Sequence, residues 1–197
     1  MLIITGCGHS GTLFVATLFH ISHEPLIHRS AETACVRAWQ DKEFARQWVK
    51  ENFMGVEREC NSFLVPFADA IRQEFPECNI FQLVRDPRNV VRSLISNDLY
   101  SGDNVSYHNI KLFDKSPIGE KWEELNQFQK TCWYWRLWNK KLRKLGCPVI
   151  RLEDLRGSPV HSKLKTFPCW KDWTKEQKDY FNKIVWPEAK YYGYEKI

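Results

Sequence analysis

The sequence predicts an α/β fold, a central parallel β-sheet flanked by helices in three layers. Three observations carry that prediction. Short apolar runs alternate along the chain with longer stretches of helical spacing, the pattern of a sheet covered on both faces. The first run, residues 2–5, ends in the glycine-rich turn Gly6-Cys7-Gly8-His9-Ser10-Gly11-Thr12 and leads directly into a helical stretch. The run Asn79-Ile80-Phe81-Gln82-Leu83-Val84 reads as a central strand, and Arg85-Asp86-Pro87 starts a helix immediately after it.

Taken in order, residues 2–5 form a buried first strand and residues 12–19 a helix, with Leu13, Ala16 and Thr17 at helical spacing. A short second strand is expected around Leu26 and Ile27. Residues 31–53 read as helix, with Val36, Trp39, Phe44 and Trp48 on its inner face. A strand within 55–59 feeds a helix over about 61–75, where Leu64, Phe67, Ala68 and Ile71 give amphipathic spacing. After the central strand, Asp86 is a capping residue and Pro87 suits the first helical position. Val90, Val91, Leu94 and Ile95 then share one apolar face. Residues 96–117 lack any period and carry Gly, Asn, Asp and Ser, so they read as a long loop, a kind that is usually functional or disordered. A long helix over 120–145, a strand over 148–152 and a final helix capped by Thr174 and running towards Tyr191 complete the chain. No repeat or linker interrupts it, so residues 1–197 are expected to form one domain.

Composition narrows the class without naming a function. With 43% hydrophobic and 27% charged residues the chain is an ordinary globular one, not a disordered one. A net charge of +5 favours an anionic partner but does not choose among nucleic acid, membrane surface and nucleotide. The seven cysteines are scattered and form no C-x-x-C pair, which points to free thiols and away from a zinc ribbon or disulfide framework. The apolar N-terminal residues lack a basic flank and are cut by the glycine turn, so no signal peptide is expected. No other stretch nears the roughly 20 apolar residues a membrane span needs. A soluble, cytoplasmic protein is therefore expected. His20, His23 and His28 complete no recognised ligand spacing, and no metal site is expected from them.

Two segments carry chemistry. In parallel sheets ligands bind at the carboxyl ends of the strands, and both segments fall there. The glycine turn can curl so that successive N–H groups point into one concavity at the positive end of the next helix. Ser10 and Thr12 add hydroxyl donors and His9 a further donor. A nucleotide kinase would need G-x-x-x-x-G-K-[ST]. Here Gly11 is followed by Thr12 and Leu13, so the phosphate lysine and the magnesium hydroxyl are both missing. In the second segment Arg85 leaves the end of a buried strand. Its fork-like guanidinium suits a phosphate, and Ser93 lies about two turns along the following helix. Arg88 and Arg92 read as a solvated charge cluster at the helix start.

On these residues the chain resembles the sulfotransferases that use 3′-phosphoadenosine 5′-phosphosulfate (PAPS), in particular their compact bacterial, carbohydrate- and tyrosine-modifying branches. Residues 6–12 resemble the family's 5′-phosphosulfate loop, and residues 82–93 its 3′-phosphate motif. Arg151-Leu152-Glu153-Asp154-Leu155 and the closing Gly193-Tyr194 are weaker echoes in the expected order. The resemblance implies a P-loop-like sulfotransferase fold. It implies that the backbone and side chains of Gly8, His9, Ser10, Gly11, Thr12 and Leu13 hold the 5′-phosphosulfate, and that Arg85 and Ser93 hold the 3′-phosphate. His9 stands where the family usually has Lys or Arg, the cation that stabilises the bridging oxygen. The general base implied is Glu24 first and His23 second, with Glu32, Glu57 and Glu59 as further candidates and Arg58 as a possible helper. PAPS would be the co-substrate, an acceptor hydroxyl or amine on a carbohydrate or other small molecule its partner, and no metal would be required. Two other readings stay open on the residues alone: a degenerate P-loop kinase or hydrolase, and a non-catalytic nucleic-acid binder. The latter would use the basic, Trp-rich stretch 133–144, since aromatic rings stack on bases. The same spacing suits a core helix with a solvated basic face, which we favour, and no nucleic-acid partner is expected.

Overall fold

The computed structural model describes residues 1–23, 30–101, 110–157 and 166–196. Its centre is a five-stranded, all-parallel sheet: β1 (Leu2–Gly6), β2 (Ser22–His23), β3 (Arg58–Cys60), β4 (Asn79–Val84) and β5 (Val149–Arg151), in the order β2-β3-β1-β4-β5. β1 pairs with β3 from Leu2 opposite Arg58, and with β4 from Leu2 opposite Asn79 through Gly6 opposite Leu83. The helices are α1 (Thr12–Phe19), α2 (Ser30–Gln40), α3 (Lys42–Asn52), α4 (Ala68–Glu74), α5 (Pro87–Ile95), α6 (Gln127–Lys144), α7 (Lys175–Ile184) and α8 (Trp186–Ala189).

Side-chain alternation along the strands divides the interior in two. Ile3, Ile80 and Val84 face the larger core, which α2 through α7 cover. Ile4 and Leu83 face a smaller cluster with Val15 and Ala16 of α1. The cause is topological. The crossover from β1 to β2 runs one way across the sheet, those from β2 onward run the other way, and right-handed crossovers then place α1 opposite the rest. The connections leaving the adjacent strands β1 and β4 therefore part company, and a crevice opens between the carboxyl ends of those two strands.

Several boundaries differ from the sequence expectation, each for a local reason. The 31–53 helix is two helices, because the Asp41 side chain accepts the Phe44 N–H at 2.9 Å and starts α3 afresh. The 61–75 helix opens as a 3-10 turn, Ser62–Phe67, capped by Asn61 and containing Pro66, which has no N–H to donate. The 120–145 helix begins only at Gln127, where Asn126 and Gln129 form a reciprocal capping box. Thr174 does cap a helix, but that helix stops at Ile184 and Pro187 opens the separate α8. The second strand is Ser22–His23; Leu26 and Ile27 lie outside the described residues.

Trp133, Trp135 and Trp138 on α6 are each at most 1% exposed, so the Trp-rich stretch is core and its rings are closed to nucleic-acid bases. All seven cysteines are free thiols, six of them buried. Among the described residues no helix is long and apolar enough to cross a membrane.

Candidate functional site

At the crevice between β1 and β4 lies a cavity of about 360 Å³. Its walls come from the glycine turn (Gly8, His9, Gly11, Thr12, Leu13), from the segment after β4 (Arg85, Ser93), and from His23, Ser62 and Phe63. Most of the residues singled out in the sequence thus share one space.

The turn is shaped by two glycines. A Cβ on Gly6 would collide with the Leu83 carbonyl oxygen, so β1 and β4 approach as closely as they do only because position 6 has no side chain. Gly11 sits at φ 99°, and a Cβ there would lie 2.8 Å from both Leu152 Cδ atoms. As N-cap of α1, Gly11 offers no side-chain acceptor. The first-turn amides of α1 therefore keep their donors for whatever occupies the cavity. His9 also has positive φ, at 63°, an uncommon backbone for a residue with a side chain and one that clusters at ligand loops.

Side chains close the turn from both sides. His9 Nδ1 lies 2.8 Å from Ser93 Oγ, bridging two segments 84 residues apart. An Arg85 NH group donates to the His9 carbonyl at 3.2 Å. His23 Nε2 lies 3.1 Å from Thr12 Oγ1 on the other flank. Burial pulls the Arg85 pKa down, opposed by the nearby carboxylates of Glu153 and Asp86. A guanidinium still stays charged under such a shift, so the cavity holds a partly desolvated cation.

Ser10 departs from the expectation. Its N–H donates to the Cys7 carbonyl at 3.0 Å, and it does not line the cavity. Its hydroxyl is wholly buried without a hydrogen-bond partner among the described residues. An orphaned hydroxyl costs about 1–3 kcal/mol. Leu13 is 63% exposed and forms part of the mouth.

Arg88 and Arg92 are not a solvated cluster. Arg88 forms a two-pronged pair with Asp86 and lies over the Trp170 ring at 5.3 Å, while Arg92 Nε donates to the Phe167 carbonyl at 2.9 Å. Both brace the turn that presents Arg85.

The base candidates disperse. Glu24 lies outside the described residues, as does His28, and Glu32 belongs to α2. Glu57 is exposed. Glu59 is 0% exposed and accepts the Asn61 side-chain amide at 2.8 Å, which takes it away from the cavity. Arg58 lines an apolar groove near the other end of the strands. Of the candidate bases, His23 is the one described residue that lines the cavity.

Ser62 and Phe63 were not legible in the sequence as site residues. They reach the cavity because Asn61 turns the chain immediately after β3; the Asn61 cap was the available signal. Fold and site together define an α/β protein with a donor-lined cavity at the switch point of an all-parallel sheet. Compared with known proteins, the chain matches no protein-family model and no curated protein sequence.

Proposed function

We propose that this chain is a PAPS-dependent sulfotransferase with a P-loop-like fold, transferring a sulfuryl group to an acceptor hydroxyl or amine. One observation carries the reading. The glycine turn and the Arg85–Ser93 segment form one cavity and meet in the 2.8 Å contact between His9 and Ser93. PAPS carries two separate anionic groups, and the cavity offers two adjacent sets of donors. The α1 amides with Thr12 suit the 5′-phosphosulfate. Arg85 and Ser93 suit the 3′-phosphate, for which a guanidinium fork is well fitted. Among the described residues no lysine lines the cavity, which weakens the kinase reading.

In the reaction the acceptor oxygen or nitrogen attacks sulfur opposite the bridging oxygen. A new bond to sulfur forms, the bond from sulfur to the bridging oxygen breaks, and negative charge collects on the 5′-phosphate. In this reading His9 and the turn amides supply donors to that developing charge, which is where fixed donors lower a barrier most. The acceptor's proton passes to His23, at the end of β2, or to Glu24, the next residue in the sequence.

The reading is tested by calorimetric titration with 3′,5′-adenosine bisphosphate, against ADP and magnesium-ATP. Micromolar binding of the bisphosphate, lost in Arg85→Ala, is expected. A preference for magnesium-ATP, or no binding, overturns it. Of Glu24→Gln and His23→Asn, the one that abolishes turnover while sparing bisphosphate binding identifies the base.

A further inference from the structure

A second cavity, of about 410 Å³, shares no lining residue with the first. It lies where the end of α2 and the start of α3 meet α4 and the C-terminal part of α6. Four lysines converge on it: Lys42 from α3, and Lys140, Lys141 and Lys144 from α6.

Cations are favoured at a helix C-terminus, and that alone could account for a basic last turn. The pairing pattern goes further. Arg72, from α4, already donates to the Leu145 carbonyl at the end of α6. Lys141 is bonded to Asp69, the one carboxylate lining the cavity among the described residues. Lys140 and Lys144 are left over, and Lys42 comes from a different helix. None of these three pairs with a carboxylate among the described residues. Three like charges around one hollow repel one another until an anion enters.

The lining also says which anion. Among the described residues it contains no arginine, so it offers no planar fork for a single carboxylate or phosphate; its several ammonium point charges suit instead a compact anion that carries more than one negative charge, as linked phosphate groups do. Trp39 forms a fixed wall, stacked on Trp138 with ring centroids 4.6 Å apart. The volume falls in the small-ligand range of roughly 300–1,000 Å³. We propose that this cavity binds a small molecule bearing two or more phosphate groups, at a site separate from the glycine-turn cavity.

The test is calorimetric titration of the whole chain with inorganic pyrophosphate at low salt. Binding is expected in the unaltered protein and in Arg85→Ala. It should weaken at least tenfold in Lys140→Ala/Lys144→Ala and again in Lys42→Ala, whereas those variants keep whatever affinity the unaltered protein has for 3′,5′-adenosine bisphosphate. Loss of pyrophosphate binding in Arg85→Ala alone, affinity unchanged by the lysine substitutions, or no binding at millimolar pyrophosphate overturns the proposal. Because the glycine-turn cavity is read with the bisphosphate and this one with pyrophosphate, either reading can fail without the other.

Discussion

Tyr194 donates its hydroxyl to Glu153 Oε2 at 2.8 Å, and the other oxygen of the same carboxylate accepts the Asp86 N–H at 2.8 Å. The last turn of the chain thus holds, through one carboxylate, the backbone immediately after Arg85. Asp86 in turn caps α5 by accepting the Arg88 N–H at 2.9 Å. A guanidinium that binds phosphate gains from being fixed beforehand, since the ordering cost is then met in folding.

Removing the Tyr194 hydroxyl should therefore weaken anion binding without touching the cavity. A single hydrogen bond to a charged group contributes about 1.5–3 kcal/mol, part of which is recovered when water replaces the phenol. Tyr194→Phe is expected to raise the dissociation constant for 3′,5′-adenosine bisphosphate by roughly three- to tenfold. Calorimetry on the variant checks this. An unchanged affinity, with Arg85→Ala still abolishing binding, would show that the brace is structural only.

His9 makes a different prediction, because in the proposed reaction it is a donor to the leaving group. His9→Ala should leave bisphosphate affinity within a few-fold, since the turn amides and Arg85 remain. It should lower the turnover rate by about 10²–10³, the usual cost of losing one donor to a developing charge. His9→Lys restores a permanent cation and should recover most of that loss. Single-turnover sulfuryl transfer from labelled PAPS measures both.

Much of this arrangement was legible in the sequence because it depends on local chemistry. The glycine turn, the Asp86-Pro87 helix start and the Thr174 cap are each written within a few residues. The second strand was not legible, since Ser22–His23 is two residues long and a period of two needs more than that to be seen. The break at Asp41 was written in a capping residue, but continuous apolar spacing across it suggested one helix. Ser62, Phe63, Glu153 and Tyr194 owe their places to tertiary packing. No local pattern announces that residue 153 will touch both residue 86 and residue 194.

The two glycines of the turn give a stability prediction. Gly11→Ala forces a side chain onto a backbone at φ 99° and drives its Cβ to within 2.8 Å of Leu152. Such strain costs about 1–3 kcal/mol, and a chain of this size loses roughly 2–4 °C of Tm per kcal/mol. A fall of about 2–12 °C is expected by calorimetric melting. Gly6→Ala should do worse, because the atom it meets is a carbonyl oxygen of the neighbouring strand and cannot swing aside.

Alkaline pH should unfold the protein earlier than its net charge alone would suggest. Tyr192 and Tyr194 are 5% and 6% exposed. Burial, with the added repulsion of Glu188 and Glu153 respectively, raises both phenols well above the ordinary value of 10.0. The sign follows from which state holds the proton. With the folded value raised, the folded protein keeps a proton that the unfolded chain releases above about pH 10, so stability is full below that pH and falls as pH climbs towards the folded value. Each phenol that ionises only on unfolding removes about 1.4 kcal/mol per pH unit in that window. Denaturant melts at pH 9, 10 and 11 should show a loss that steepens over the second step, where the phenols add to the buried thiols Cys7 and Cys132. Tyr194→Phe should flatten the steep part by about a fifth, since burial raises Tyr100, Tyr134 and Tyr180 as well as Tyr192. An unaltered slope in that variant would place the alkaline sensitivity in the other buried groups whose pKa values burial raises, the phenols of Tyr100, Tyr134, Tyr180 and Tyr192 and the thiols of Cys7 and Cys132.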